Sequence, residues 1–213
     1  MKSITTILCF LFTIIGINAQ GNLGEQVMVK GKIVDVNTKQ PMSIEIEFEP
    51  PTGRKFVIKS LEGTGKFEQL FQSGTKYNVT FSGDNIYREE IDYTPTGKAG
   101  EGYSEITQTF EVKALAPGVV VENIELFSPG STDLTSAGKA ALKKMKISMR
   151  FNRNASFIFQ VNAADKKLAE NRMKTLKDYI GDWRRLLDRI EFQSGTSGNN
   201  LIIKVSKVED VFK

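Results

Sequence analysis

The sequence contains no histidine at all and a single cysteine, Cys9. Without histidine there is no imidazole base for a serine or cysteine hydrolase, and the usual zinc ligand sets are missing. One cysteine cannot close an intrachain disulfide, and Cys9 lies in a stretch expected to be removed, so the rest of the chain offers no thiol nucleophile. No cofactor and no metal site is expected, and the chain is expected not to be an enzyme. A strong excess of one charge is also absent. The 29 basic and 25 acidic residues give a net charge of +4, a mild bias rather than a nucleic-acid signature.

Long apolar runs are scarce as well. One stands at the start, where Lys2 precedes an almost uncharged run from Ile4 to Ile17, followed by small and polar residues around Ala19. That order predicts a secretory signal peptide over residues 1–19, cleaved after Ala19 to leave Gln20 first. The run is too short for a spanning helix, and Gly16, Asn18 and Gln20 interrupt its far end. Cys9 lacks the preceding small residues of a lipid attachment site, so no lipid anchor is expected. The expected product is exported, has no transmembrane segment after cleavage, and resides in the periplasm, where outer-membrane association is one option.

The rest of the chain is patterned. From Val27 to Tyr93 short alternating runs are broken by turns rich in glycine, proline and asparagine, which predicts an all-β unit. Strands are expected near Val27–Val36, Ser43–Glu49, Lys55–Lys59, Gly65–Phe71, Lys76–Ser82 and Tyr87–Tyr93, with a loop at Thr94–Ser104 and a closing strand at Ile106–Val112. Ala114-Leu115-Ala116-Pro117-Gly118 reads as a linker. Beyond it a strand at Val119–Phe127 gives way to helical spacing over Leu134–Met149. A strand at Ala155–Val161 comes next, then a helical stripe from Leu168 to Leu187 and strands at Arg189–Gln193 and Leu201–Val208. The expected fold is therefore α+β with two domains: a β-sandwich at 27–113, a linker at 114–118, and a β-α-β-α-β-β unit at 119–208.

The first unit resembles the carboxypeptidase regulatory-like (transthyretin-like) module. Val29-x-Gly31-x-Ile33-x-Asp35, Thr38-x-x-Pro41, Gly65-x-Phe67 and Gly74-x-x-Tyr77 carry the likeness. The second unit resembles the OmpA-like peptidoglycan-binding domain. It shows Val121-x-Asn123-Ile124-x-Leu126-Phe127, then Gly130-Ser131, and above all Leu168-Ala169-x-x-Arg172-Met173-x-x-Leu176-x-x-Tyr179-Ile180. In that family a helix arginine and a loop aspartate clamp the zwitterionic end of the wall peptide. The arginine's fork suits a carboxylate and the aspartate an ammonium. The resemblance thus makes Arg172, Asp165 and Asn162 the candidate ligand residues and peptidoglycan the candidate partner.

One departure keeps a second reading open. Only two residues separate Asp165 from Leu168, so most of the family's binding loop is missing. Asp165 in that position is also a natural helix cap, and Arg172 could form a surface pair on a basic helix. The chain then reads either as peptidoglycan-associated, or as an envelope scaffold whose OmpA-like unit contacts proteins. Lys166, Lys167, Lys174, Lys177, Arg184 and Arg185 form a candidate basic surface in the second case. Glu45, Glu47 and Glu49 read as the solvated face of a strand rather than catalytic carboxylates, and the stretches Gly63–Lys66 and Gly195–Gly198 as turns rather than phosphate loops.

Overall fold

A computed structural model describes residues 25–209; the expected signal segment lies outside them. Eleven strands fall into three sheets, and the helices lie in the second half of the chain. The protein is a mixed α+β fold with two separate hydrophobic cores.

The first core lies between two sheets. One has the order β4-β1-β7, formed by Lys66–Gln72, Gln26–Asp35 and Tyr103–Val112. The other has the order β3-β2-β5-β6, from Phe56–Lys59, Glu45–Glu49, Tyr77–Ser82 and Glu89–Tyr93. Alternation in β1 explains the inner face, because Val27, Val29, Gly31 and Ile33 are buried while Lys30 and Lys32 are exposed. Gly31 is a glycine because the Phe67 ring occupies the place of its missing side chain. Gly65 is one for two reasons: its φ is +65°, and a Cβ there would strike the Ile33 carbonyl oxygen. Aromatic edges fill the interior, with Phe48–Phe71 centroids 4.9 Å apart, Phe71–Tyr77 5.1 Å and Tyr93–Phe110 5.0 Å. β1 pairs antiparallel with β4 but parallel with β7, so the first and last strands of this unit run side by side in the same direction. The expected loop at Thr94–Ser104 is shorter than its pattern, since β7 already begins at Tyr103.

The second core is covered by a mixed sheet of order β10-β9-β11-β8, formed by Ile190–Gly195, Ala155–Asn162, Leu201–Val208 and Val120–Ile124. Helix α1, Ser136–Phe151, is capped by the Thr135 hydroxyl, which accepts from the Gly138 amide. Its face of Leu142, Met145 and Met149 is buried. Helix α2, Lys166–Tyr179, buries Ala169, Arg172 and Leu176 and connects the parallel pair β9 and β10. The helical stripe anticipated as far as Leu187 breaks earlier. Gly181 follows the end of α2, the chain tightens into a 3-10 segment over Gly181–Arg189, and Arg184 takes φ 49°. This break turns Trp183 inward against Phe159, with centroids 6.4 Å apart. It also brings the Arg189 guanidinium under the end of α1, where it donates to the carbonyls of Met149, Asn152, Arg153 and Ala155.

The two cores meet at a small junction. Tyr87 and Leu115 are buried within the second core although they flank strands of the first half. Asn152, at the end of α1, accepts from the Arg88 amide at 2.8 Å and donates to the Arg88 carbonyl at 3.0 Å. Lys113 lies between Glu89 at 2.8 Å and Glu122 at 3.7 Å.

Candidate functional site

Arg172 sits on the inner face of α2 and is fully buried, with no exposed surface. A guanidinium cannot shed its charge, so its donors must be satisfied. Nε donates to the Ser131 carbonyl at 2.7 Å, Nη2 to the Ser128 carbonyl at 2.7 Å, and Nη1 to the Asn162 carbonyl at 3.3 Å and to the Asn199 Oδ1. The Phe127 ring lies under the group, 4.9 Å from its carbon. Among the described residues no carboxylate pairs with it. Burial holds the Arg172 guanidinium below its ordinary value.

The acceptors come from three separate segments. The loop after β8 supplies Ser128 and Ser131, the end of β9 supplies Asn162, and the turn between β10 and β11 supplies Asn199, which also donates to the Phe127 carbonyl at 3.2 Å. Arg172 therefore holds together the loop ends on this side of the sheet.

Asn162 is buried and belongs to a chain of amides running across the sheet. Gln160 Nε2 donates to Asn162 Oδ1 at 2.9 Å, Asn162 Nδ2 donates to Asn200 Oδ1 at 3.0 Å, and Asn200 Nδ2 donates to Asn123 Oδ1. Lys204 extends it at one end, with Nζ 3.0 Å from Gln160 Oε1. Gly195 leaves room for this chain, because a Cβ there would collide with Asn162 Oδ1.

Asp165 is exposed at the start of α2. Its Oδ1 accepts from the Leu168 amide at 2.8 Å, the geometry of a helix cap. Arg172 and Asp165 thus face different surroundings, one enclosed by carbonyls and the other at the solvent edge of α2. The serine carbonyls and Asn199 were not legible as partners of Arg172. Ser131 stands in the Gly130-Ser131 pair that carries part of the OmpA-like resemblance and Asn199 in the connection between the last two strands, but a backbone acceptor leaves no mark in residue identity. Among the described residues no three or more histidine, cysteine, aspartate or glutamate side chains stand close enough to hold a metal ion.

No family model matches the sequence, and no curated protein matches it. Among solved structures, similar folds include 3-chlorocatechol 1,2-dioxygenase from Rhodococcus opacus, at 8% identity over 43% of this chain and a TM-score of 0.35. The OmpA-like domain of FopA1 from Francisella tularensis matches at 13% identity, over 41% of this chain and 72% of that one, with a TM-score of 0.34. The C-terminal domain of the shaft pilin SpaA from Lactobacillus rhamnosus matches at 11% identity, over 42% of this chain and 98% of that one, with a TM-score of 0.32. The chain spans 61% of the Rhodococcus dioxygenase and 57% of hydroxyquinol 1,2-dioxygenase from Pseudomonas putida. At TM-scores this low the likenesses decide neither family nor function.

Proposed function

We propose that this chain is an exported, non-enzymatic protein of the cell envelope that acts as a scaffold or adaptor. In this reading its OmpA-like unit contacts proteins, and the wall-clamping arginine of that family has become an internal staple. The observation that carries it is the enclosure of Arg172, whose donors go to Ser128, Ser131, Asn162 and Asn199 while Asp165 caps α2. A wall peptide would have to displace four internal acceptors to reach that cation. The export segment at residues 1–19 and the absence of a histidine or cysteine nucleophile after it support the compartment and the non-enzymatic role.

The test is sedimentation of the chain from Gln20 with isolated peptidoglycan sacculi at low salt. On this reading the protein stays in the supernatant. Sedimentation that Arg172→Lys abolishes, in a variant that melts at the wild-type temperature, rejects it in favour of wall binding.

A further inference from the structure

We propose that the outer face of α1 is a docking surface for an anionic lipid bilayer. Between Leu134 and Ala164 the chain carries Lys139, Lys143, Lys144, Lys146, Arg150 and Arg153 and not one acidic residue. The helix is anchored by Gly138, Leu142, Met145 and Met149, and its opposite face is left to solvent. At 100° per residue, Ala140, Ile147 and Phe151 form the ridge of that outer face, flanked by Lys139, Lys143 and Arg150 on one side and Lys144 on the other.

Two features of this face are unusual together. Ile147 is 48% exposed and Phe151 39%, though both are large apolar side chains. The cations around them have no acidic partner among the described residues, apart from Lys146, which reaches Asp182 at 2.8 Å. Arg88 adds a further cation, its guanidinium carbon lying 4.6 Å above the Phe151 ring. The charge pattern calls for an anionic partner, and the ridge calls for a partner that also accepts apolar side chains. A bilayer interface rewards both, with cations at the headgroups and Ile147 and Phe151 at the acyl boundary. A hydrated glycan has no acyl layer into which Ile147 and Phe151 could insert. A protein partner of ordinary interface size would need far more apolar area than two side chains on a convex helix supply.

The experiment is flotation of the chain from Gln20, which retains both cores but lacks the apolar residues 1–19, with two vesicle types. One holds phosphatidylcholine and phosphatidylglycerol in equal amounts, the other phosphatidylcholine alone. The protein is expected to float with the anionic vesicles only, and to be released as salt is raised. Lys143→Glu combined with Lys144→Glu is expected to weaken binding at least about tenfold. Ile147→Ser combined with Phe151→Ser is expected to weaken it severalfold while leaving the salt dependence unchanged. All four positions are exposed, and circular dichroism checks that the variants stay folded. No flotation with anionic vesicles at low salt overturns the proposal, as does flotation that neither variant alters. Sedimentation with sacculi that the lysine reversals abolish, without vesicle binding, overturns it too and gives the face to an anionic wall polymer. Arg172 lies away from this face, so the outcome is independent of the adaptor reading.

Discussion

The Asn152 side chain satisfies both backbone polar groups of Arg88, accepting from its amide at 2.8 Å and donating to its carbonyl at 3.0 Å. It thereby acts as a strand would, tying the end of α1 to the segment entering β6. Asn152 is 2% exposed, and it also donates to the Ser148 carbonyl at 2.8 Å. Asn152→Ala leaves these groups without partners at the junction. The expected loss is about 2 kcal/mol of unfolding free energy, read by urea denaturation. Asn152→Asp is expected to be no better at neutral pH, because it sets a carboxylate against the Arg88 and Ser148 carbonyls. A midpoint unchanged by either substitution contradicts the coupling.

Arg172→Ala removes a buried cation and strands the carbonyls of Ser128, Ser131 and Asn162. The expected cost is about 3–5 kcal/mol, with Arg172→Lys recovering only a part because an ammonium lacks the planar fork. A residue reserved for a ligand would behave otherwise. Its removal would change binding and leave the melting temperature nearly where it was.

How much of the fold and the site is legible in the sequence differs from residue to residue. The alternation of β1 and the order of strands and helices beyond Val119 follow from hydrophobic period and turn chemistry, which are local. The role of Asp165 as a helix cap is one of the readings its position allows, because capping is local as well. The fate of Arg172 is not local. Its spacing on α2 matches a ligand-binding pattern, but whether it points at solvent or at three backbone carbonyls depends on loops distant in sequence. Tyr87 shows the same limit from the other side. It reads as the first residue of a sandwich strand, and alternation cannot say which of two cores a buried ring enters. The end of α2 escapes the pattern because the apolar stripe continues through Trp183 and Leu187, although the α-helix that would carry it stops at Tyr179 and the backbone leaves helical geometry at Arg184.

Asp35, the last residue of β1, is buried and accepts from the amides of Asn37 at 3.0 Å and Thr38 at 2.7 Å. Burial pushes its carboxyl up, but the bonds from Thr38, Asn37 and Ala114 outweigh it and hold the group below its ordinary 3.8. A carboxyl depressed in the folded state stabilises it at pH values above 3.8 and loses that contribution as pH falls through the folded value. Asp35→Asn is expected to lower stability by about 1 kcal/mol at neutral pH and to flatten the decline below about pH 4 in a denaturation series. An unchanged acid limb contradicts this assignment.

Tyr93 carries a buried hydroxyl with no hydrogen-bond partner among the described residues, and burial pushes its pKa up to about 12. A phenol raised in the folded state lends its stability below the ordinary value of 10.0 and loses it as pH climbs toward 12. Tyr93→Phe keeps the ring against Phe110 and removes the unpaired group. It is expected to leave neutral-pH stability unchanged or raise it by about 1 kcal/mol, and to lessen the alkaline loss. Destabilisation of the Phe variant at neutral pH would reveal a partner for the hydroxyl.

Gly65→Ala is expected to cost about 2–3 kcal/mol, since its backbone occupies positive φ and the new methyl meets the Ile33 carbonyl oxygen. Gly63, also at positive φ, has open space around it, so Gly63→Ala is expected to cost less. Equal losses at the two positions, compared by thermal melting, would remove the steric part of the explanation.

The parallel pairing of β1 with β7 gives the first half of the molecule a mechanical character. The chain enters this unit at Gln26 and leaves it beyond Val112, and because both strands run the same way those points lie at opposite ends, about 30 Å apart along ten residues of strand. Tension between whatever holds the N-terminal side and whatever grips the second unit therefore pulls the two strands in opposite directions along their common axis. The bonds from Gln26–Tyr103 to Asp35–Val112 then bear that load together in shear, instead of parting one after another as in an unzipped hairpin. A unit wired in this way resists extension along the line joining its two attachments.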